Sequence, residues 1–133
     1  MKIIIVDDNI KFIKSITDFL EMELGHSIVT TFYDGEEFMK NQHKYTYDIV
    51  LMDINMPVLN GFETVKNYNI DYFQTSKVIA ITFDNTVQLL PLIEHGFKGC
   101  ILKTNVFDLI NDAIKTVSNG KNYWDKTILK NLH

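Results

Sequence analysis

The sequence predicts an α/β fold in which a parallel sheet of five strands carries helices on both faces. Two observations predict it. Strand-like apolar runs alternate with segments of helical spacing, the pattern of a parallel sheet rather than of hairpins. Four of the runs also end in a polar residue: Ile3-Ile4-Ile5-Val6 in Asp7-Asp8, Ile49-Val50-Leu51-Met52 in Asp53, Val78-Ile79-Ala80-Ile81 in Thr82, and Ile101-Leu102 in Lys103. If the runs are parallel, those four ends share one edge, where open α/β sheets bind their ligands.

The elements follow in order. Strands are expected over residues 2–7, 27–33, 48–53, 77–82 and 99–102. Phe12, Ile16, Phe19, Leu20 and Leu24 recur at helical spacing and mark the first helix, which Gly25 stops. A short second helix spans Glu36 to Asn41, and a third runs from Gly61 to about Ile70. The fourth is expected from Asn85 to His95 with Gly96 as a left-handed cap, although Pro91 falls inside it. An interior proline costs about 3 kcal/mol, so this helix is either kinked or starts late with Pro91 in its first turn. Val106, Leu109, Ile110, Ala113, Ile114 and Val117 form the apolar stripe of a fifth helix, closed by Asn119-Gly120. Beyond it, residues 121–133 depart from the alternation, with Tyr123 and Trp124 followed by Ile128, Leu129 and Leu132. They read as a packed tail or as the opening of a connection to another domain.

Composition narrows the classes. A chain of 133 residues suits one domain with one core, and 46% hydrophobic with 23% charged residues is ordinary globular usage. No run approaches the roughly 18 apolar residues of a membrane span, and the N-terminus lacks the plan of a signal peptide, so a cytoplasmic protein without membrane contact is expected. Cys100 is the only cysteine and sits in an apolar run, which predicts a buried, unreactive thiol. The net charge is −4 and all 13 basic residues are lysine. Without arginine there is no fork for bidentate reading of guanine or phosphate, so direct nucleic-acid contact by this segment is not expected.

The strand ends carry the chemistry. An Asp after a strand commonly caps the next helix, but Asn9 is available as that cap, and the adjacent carboxylates of Asp7 and Asp8 repel unless a cation neutralises them. An oxygen-rich site of this kind suits Mg²⁺. Asp53 could likewise cap a turn, a task open to Asn55 and Asn60. Opposite Asp8 across a metal it becomes a carboxylate nucleophile able to take a phosphoryl group. Met56-Pro57 and Asn60-Gly61 turn the chain back onto the sheet. A lone Thr or Lys at a strand end is ordinary; together, Thr82 can hydrogen-bond a phosphoryl oxygen and Lys103 can neutralise its charge.

With IIIVDDN, LMDINMPVLNG, the Thr82 strand end and GCILK in this order, residues 1 to about 120 resemble the receiver domain of bacterial two-component response regulators, the family that includes CheY. The resemblance implies a doubly wound, flavodoxin-like sheet of order 2-1-3-4-5. It implies that Asp53 is the phosphoacceptor, that Asp8 and the main-chain carbonyl of Asn55 are Mg²⁺ ligands along with Asp53, and that Asp7 acts through water. Thr82 and Lys103 would contact the phosphoryl group. The donor would be a phosphohistidine on a sensor histidine kinase or phosphotransfer protein, and a homodimer is possible.

Three positions differ from the family's usual pattern. Cys100 replaces the aromatic that swings inward with the Thr, Phe83 replaces a small residue, and Thr104 replaces a proline, as is frequent in the NarL/FixJ branch of DNA-binding regulators. The segment after Lys103 resembles the end of such receivers, so we expect a receiver domain over 1–120 and a tail or linker start over 121–133, with transcriptional output through a helix-turn-helix domain outside this chain. A stand-alone receiver, or a receiver-like protein-binding module that is not phosphorylated, is the alternative. A phosphohydrolase of the haloacid dehalogenase type fits less well, because such proteins carry Asp-x-Asp with the nucleophile on the first strand, whereas here Asp7 and Asp8 are adjacent and no lid-sized insertion follows them. A phosphoacceptor, rather than an enzyme with an independent substrate, is expected.

Overall fold

A computed structural model describes residues 1–72 and 77–131. Strands β1 (Lys2–Val6), β2 (Ser27–Phe32), β3 (Ile49–Asp53), β4 (Lys77–Thr82), β5 (Gly99–Leu102) and β6 (Tyr123–Trp124) form one sheet of order β2-β1-β3-β4-β5-β6. Every neighbouring pair is parallel. The expected 2-1-3-4-5 order is therefore present, with one correction: a sixth strand extends the sheet beyond β5. Its two residues pair Tyr123 with Gly99 and Trp124 with Cys100.

Successive residues of each strand point to opposite faces, and both faces are covered. Ile3, Ile5, Ile49, Leu51, Ile79, Ile81 and Ile101 meet Ile13, Ile16 and Leu20 of the first helix and the stripe of α5 (Val106–Ser118). Ile4, Val6, Val50, Met52, Val78, Ala80 and Cys100 meet Phe38, Val65, Tyr68 and Leu92 from α2 (Gly35–Asn41), α3 (Gly61–Tyr72) and α4 (Leu89–His95). The first helix, α1, runs over Ile10–Asp18 and continues through one wider turn, Phe19–Glu23, to Leu24. No helix among the described residues is long and apolar enough to cross a membrane.

The fourth helix starts four residues later than the first Asn of the expected span. Pro91 is the third residue of α4, inside the first turn, where its missing N–H leaves no broken bond. Residues 85–88 form a loop instead, opened by Thr86 donating to Asp84 Oδ1 from its backbone N–H at 2.9 Å. Gly96 ends the helix at φ +96°, as expected of a left-handed cap.

The segment after Gly120 docks on the domain. Asp125 caps α6 (Lys126–Leu129), and Ile128 is wholly buried among the core residues of the α2–α4 face. Asn131 then clips the loop before α4: its Nδ2 donates to the carbonyls of Asn85 and Val87 at 2.7 and 3.0 Å, and its own carbonyl accepts from Leu89 N at 3.1 Å. Leu132 of the expected apolar spacing lies outside the described residues.

Candidate functional site

Register decides which side chains meet. Val6 pairs with Met52, Asp53 with Ile81, and Thr82 with Leu102. Asp7, Asp53, Thr82 and Lys103 therefore occupy consecutive positions along the carboxyl edge of β1, β3, β4 and β5. Carboxylate oxygens of Asp7, Asp8 and Asp53 all lie within 4.8 Å of one another. The Lys103 ammonium sits 2.7 Å from Asp7 Oδ2 and 3.6 Å from Asp53 Oδ2, and its side chain is only 4% exposed. The structure thus brings together all five of these expected residues, with Asp8 alone on the exposed side.

Each side chain is held locally. Asn9, not either aspartate, caps α1 by accepting from Phe12 N at 3.0 Å, which leaves Asp7 and Asp8 free for the site. Asp7 Oδ1 accepts from Asn9 N at 2.8 Å. Asp53 Oδ1 accepts from Asn55 N at 3.3 Å, and Asn55 Nδ2 reaches Thr82 Oγ1 at 3.5 Å. Thr82 is fully buried and its Oγ1 accepts from Asp84 N at 3.0 Å, so its rotamer is fixed by the loop it begins. Asn60 caps α3, and Gly61 N donates to Ile54 O at 2.8 Å. A Cβ at Gly61 would collide with the Asp53 carbonyl and come within 2.8 Å of Ile54 Cα, so only glycine lets α3 start against the strand end.

Electrostatics define what the site can hold. Burial, then the neighbouring Asp7 carboxylate, pushes the Asp53 acid up to about 7, and Lys103 offsets this only in part. Three carboxylates face one ammonium. Asp7 Oδ2 is buried, with Lys103 as its ion-pair partner but no aligned hydrogen bond. An uncompensated pair of negative charges on hard oxygen donors fits a divalent cation such as Mg²⁺.

Two aromatic rings complete the surroundings. The Lys103 ammonium lies 4.5 Å from the centroid of Phe12 and 5.1 Å from that of Phe83. Phe83 stands out in the sequence as a large residue after the strand-end Thr. Phe12 gives no such signal, because it reads as one more member of the α1 stripe. Cys100 is fully buried between β4 and β6, and burial pushes its thiol up to about 12, which accords with the expected inert cysteine.

A family model for the response regulator receiver domain matches residues 3–115. The transcriptional regulatory protein DegU of Brevibacillus brevis is 30% identical over 132 residues, covering 99% of this chain and 56% of DegU. The transcriptional regulatory protein LnrK of Bacillus subtilis (strain 168) is 31% identical over 120 residues, covering 90% of this chain and 54% of LnrK. The chain thus spans about half the length of the curated relatives it matches. Among solved structures, the isolated REC domain of RcsB from Salmonella enterica serovar Typhimurium in the presence of phosphomimetic BeF3⁻ superposes with a TM-score of 0.87 at 21% identity, covering 100% of this chain and 99% of that one. That likeness carries the fold.

Proposed function

This chain belongs to the response regulator receiver domain family, and from that premise we propose that it accepts a phosphoryl group on Asp53 from a phosphohistidine of a sensor kinase or phosphotransfer protein. The observation that carries the reading is the meeting of Asp7, Asp8 and Asp53 with Lys103 at one sheet edge.

An Asp53 carboxylate oxygen attacks phosphorus, the phosphorus–nitrogen bond of the donor breaks, and the imidazole departs with the bonding pair. Lys103, already 3.6 Å from Asp53 Oδ2, needs little movement to reach a phosphoryl oxygen. The Thr82 hydroxyl, at the adjacent strand end, is the hydrogen-bonding partner for another. Asp8, Asp53 and the Asn55 main-chain carbonyl would hold Mg²⁺, with Asp7 supporting it through water. A bound divalent cation supplies charge neutralisation, which keeps Asp53 ionised despite its burial and lowers the repulsion met by an incoming phosphate.

The output follows from a conformational equilibrium biased by the phosphoryl group. In this reading the partners are the kinase or phosphotransfer protein, a second copy of the chain, and DNA reached through an output domain like those of transcriptional regulators. Intact-mass spectrometry after incubation with Mg²⁺ and acetyl phosphate tests the central step. One added phosphoryl group is expected, absent in Asp53→Asn; undiminished labelling of that variant would rule the assignment out.

A further inference from the structure

A groove of about 550 Å³ lies at the β6 edge of the sheet, between α5 and the docked tail. Its walls come from two separate stretches of sequence: Asp108 and Leu109 in the first turn of α5, and Tyr123, Trp124, Lys126 and Leu129 of β6 and α6. Both rings are half-buried and Leu129 is exposed, so apolar surface stays open to solvent here. The two walls are tied together. Asn105 Nδ2 donates to Asp125 Oδ2 at 3.1 Å, and Asp125 also accepts from the N–H groups of Leu102 and Thr127. The frame of the groove is therefore continuous with the turn Lys103–Asn105.

The charge around this apolar surface is unbalanced. Asp108 is exposed and forms no ion pair among the described residues. Asp125 lines the groove as a second carboxylate. Burial, then the Asp112 carboxylate, then that of Asp125, raises the Tyr123 phenol, so a third negative charge reaches the same wall. Among the lining residues only Lys126 opposes them. Carboxylates beside two aromatic faces attract an ammonium and repel an anion, since the ring faces are themselves negative.

We propose that this groove is a binding site for a small organic cation, a ligand carrying an ammonium on a short apolar body. The ammonium lies between the Asp108 carboxylate and the faces of Tyr123 and Trp124, and the apolar body rests on Leu109 and Leu129. The occupant is a free small molecule, because the volume falls within the range of about 300–1,000 Å³ that holds such ligands. The site does not depend on Asp53 accepting a phosphoryl group.

Trp124 is the only tryptophan of the chain, so its fluorescence reports on this groove. Phenethylamine and phenylacetate supply matched probes: each joins one benzene ring to one charge through a short linker, and the charges are opposite. Both are titrated into the protein with Mg²⁺ present to screen the acidic strand ends. Phenethylamine should give a saturable change with Kd on the order of 1 mM, as a ligand of this size allows. Phenylacetate should bind roughly five-fold more weakly or worse, the factor that one exposed charge contact is worth. Asp108→Asn, a substitution at an exposed position, should melt like wild type and bring the two probes within about two-fold of each other. No saturable change with phenethylamine through the millimolar range, or equal affinity for phenylacetate, would overturn the proposal. An undiminished preference in Asp108→Asn would overturn it as well, because the charge would then be read somewhere else.

Discussion

Asp53 and Lys103 carry opposite costs in the same few cubic ångströms. Asp53 has its acid pushed up to about 7 by burial and by Asp7, whereas an unfolded aspartate titrates near 4. Between those values the native state binds more protons than the unfolded one, so this group makes stability fall as pH rises from about 4 to about 7. In cation-free buffer, Asp53→Asn should remove that slope and raise Tm at pH 7.5 by about 3–5 °C, the equivalent of ~1 kcal/mol in a domain of this size. Thermal melts at pH 5 and 7.5 check it; an unchanged slope in the variant would contradict the electrostatic account. Adding Mg²⁺ at pH 7.5 should stabilise wild type by mass action and do so far less in Asp8→Ala. Lys103 shows the other side. Its removal leaves Asp7 buried without its ion-pair partner, so Lys103→Ala should cost about 3 kcal/mol in the cation-free state. The variant should still fold, yet lose most of its beryllofluoride response in NMR shifts, since no ammonium remains to meet the phosphoryl mimic. A normal response would remove Lys103 from the site chemistry.

Elements differ in how much of their placement is written locally. Strands β1, β3, β4 and β5 were legible because nearly all their residues are buried on both faces and therefore apolar, whereas β2 lies half-buried at the sheet edge and mixes Thr with apolar residues. Asp7, Asp53, Thr82 and Lys103 were legible for a related reason: each is the first polar residue after an apolar run, Asp8 follows Asp7 directly, and parallel pairing puts run ends side by side. The start of α4 was legible only as one of two alternatives, the late start with Pro91 in the first turn, because residues 85–88 owe their loop shape to Asn131, more than 40 positions away in sequence. Strand β6 was hidden too. Two residues have no periodicity, and Tyr123-Trp124 is a strand only because β5 offers it an edge. Asp125 fixes that attachment: its Oδ2 accepts from Leu102 N at 3.2 Å and Asn105 Nδ2 at 3.1 Å, while Oδ1 accepts from Thr127 N at 3.0 Å. Asp125 is 3% exposed, so Asp125→Ala leaves buried donors unpaired and should destabilise by about 2–4 kcal/mol in urea titration. Asp125→Asn, which keeps an acceptor, should recover part of that loss. A loss below ~0.5 kcal/mol in the alanine variant would mean that the tail is not anchored there.

At the scale of the whole molecule, the docked tail touches both loops that follow Thr82 and Lys103. Asn131 bonds the loop that follows Thr82, and Asp125 bonds the end of β5 and the turn that follows Lys103. The family's usual route, an inward-turning aromatic at the position of Cys100, is closed, because a buried thiol has no ring to rotate. A shift of Thr82 toward a phosphoryl group must move Asp84, whose N–H it holds, and through the 84–88 loop the carbonyls that Asn131 grips. If phosphorylation acts through this shift, the bistable element is the loop with α4, and the tail is linked to it through Asn131. Hydrogen exchange with and without beryllofluoride should therefore change across residues 82–105 and also across 123–131, while β2, at the opposite edge of the sheet, stays as protected as before. In Asn131→Ala the loop should still respond but the change across 123–131 should shrink, because one of its two links is cut. A response confined to 82–105 in wild type would uncouple the tail from the switch. No change across 82–105 at all would place the switch elsewhere in the fold.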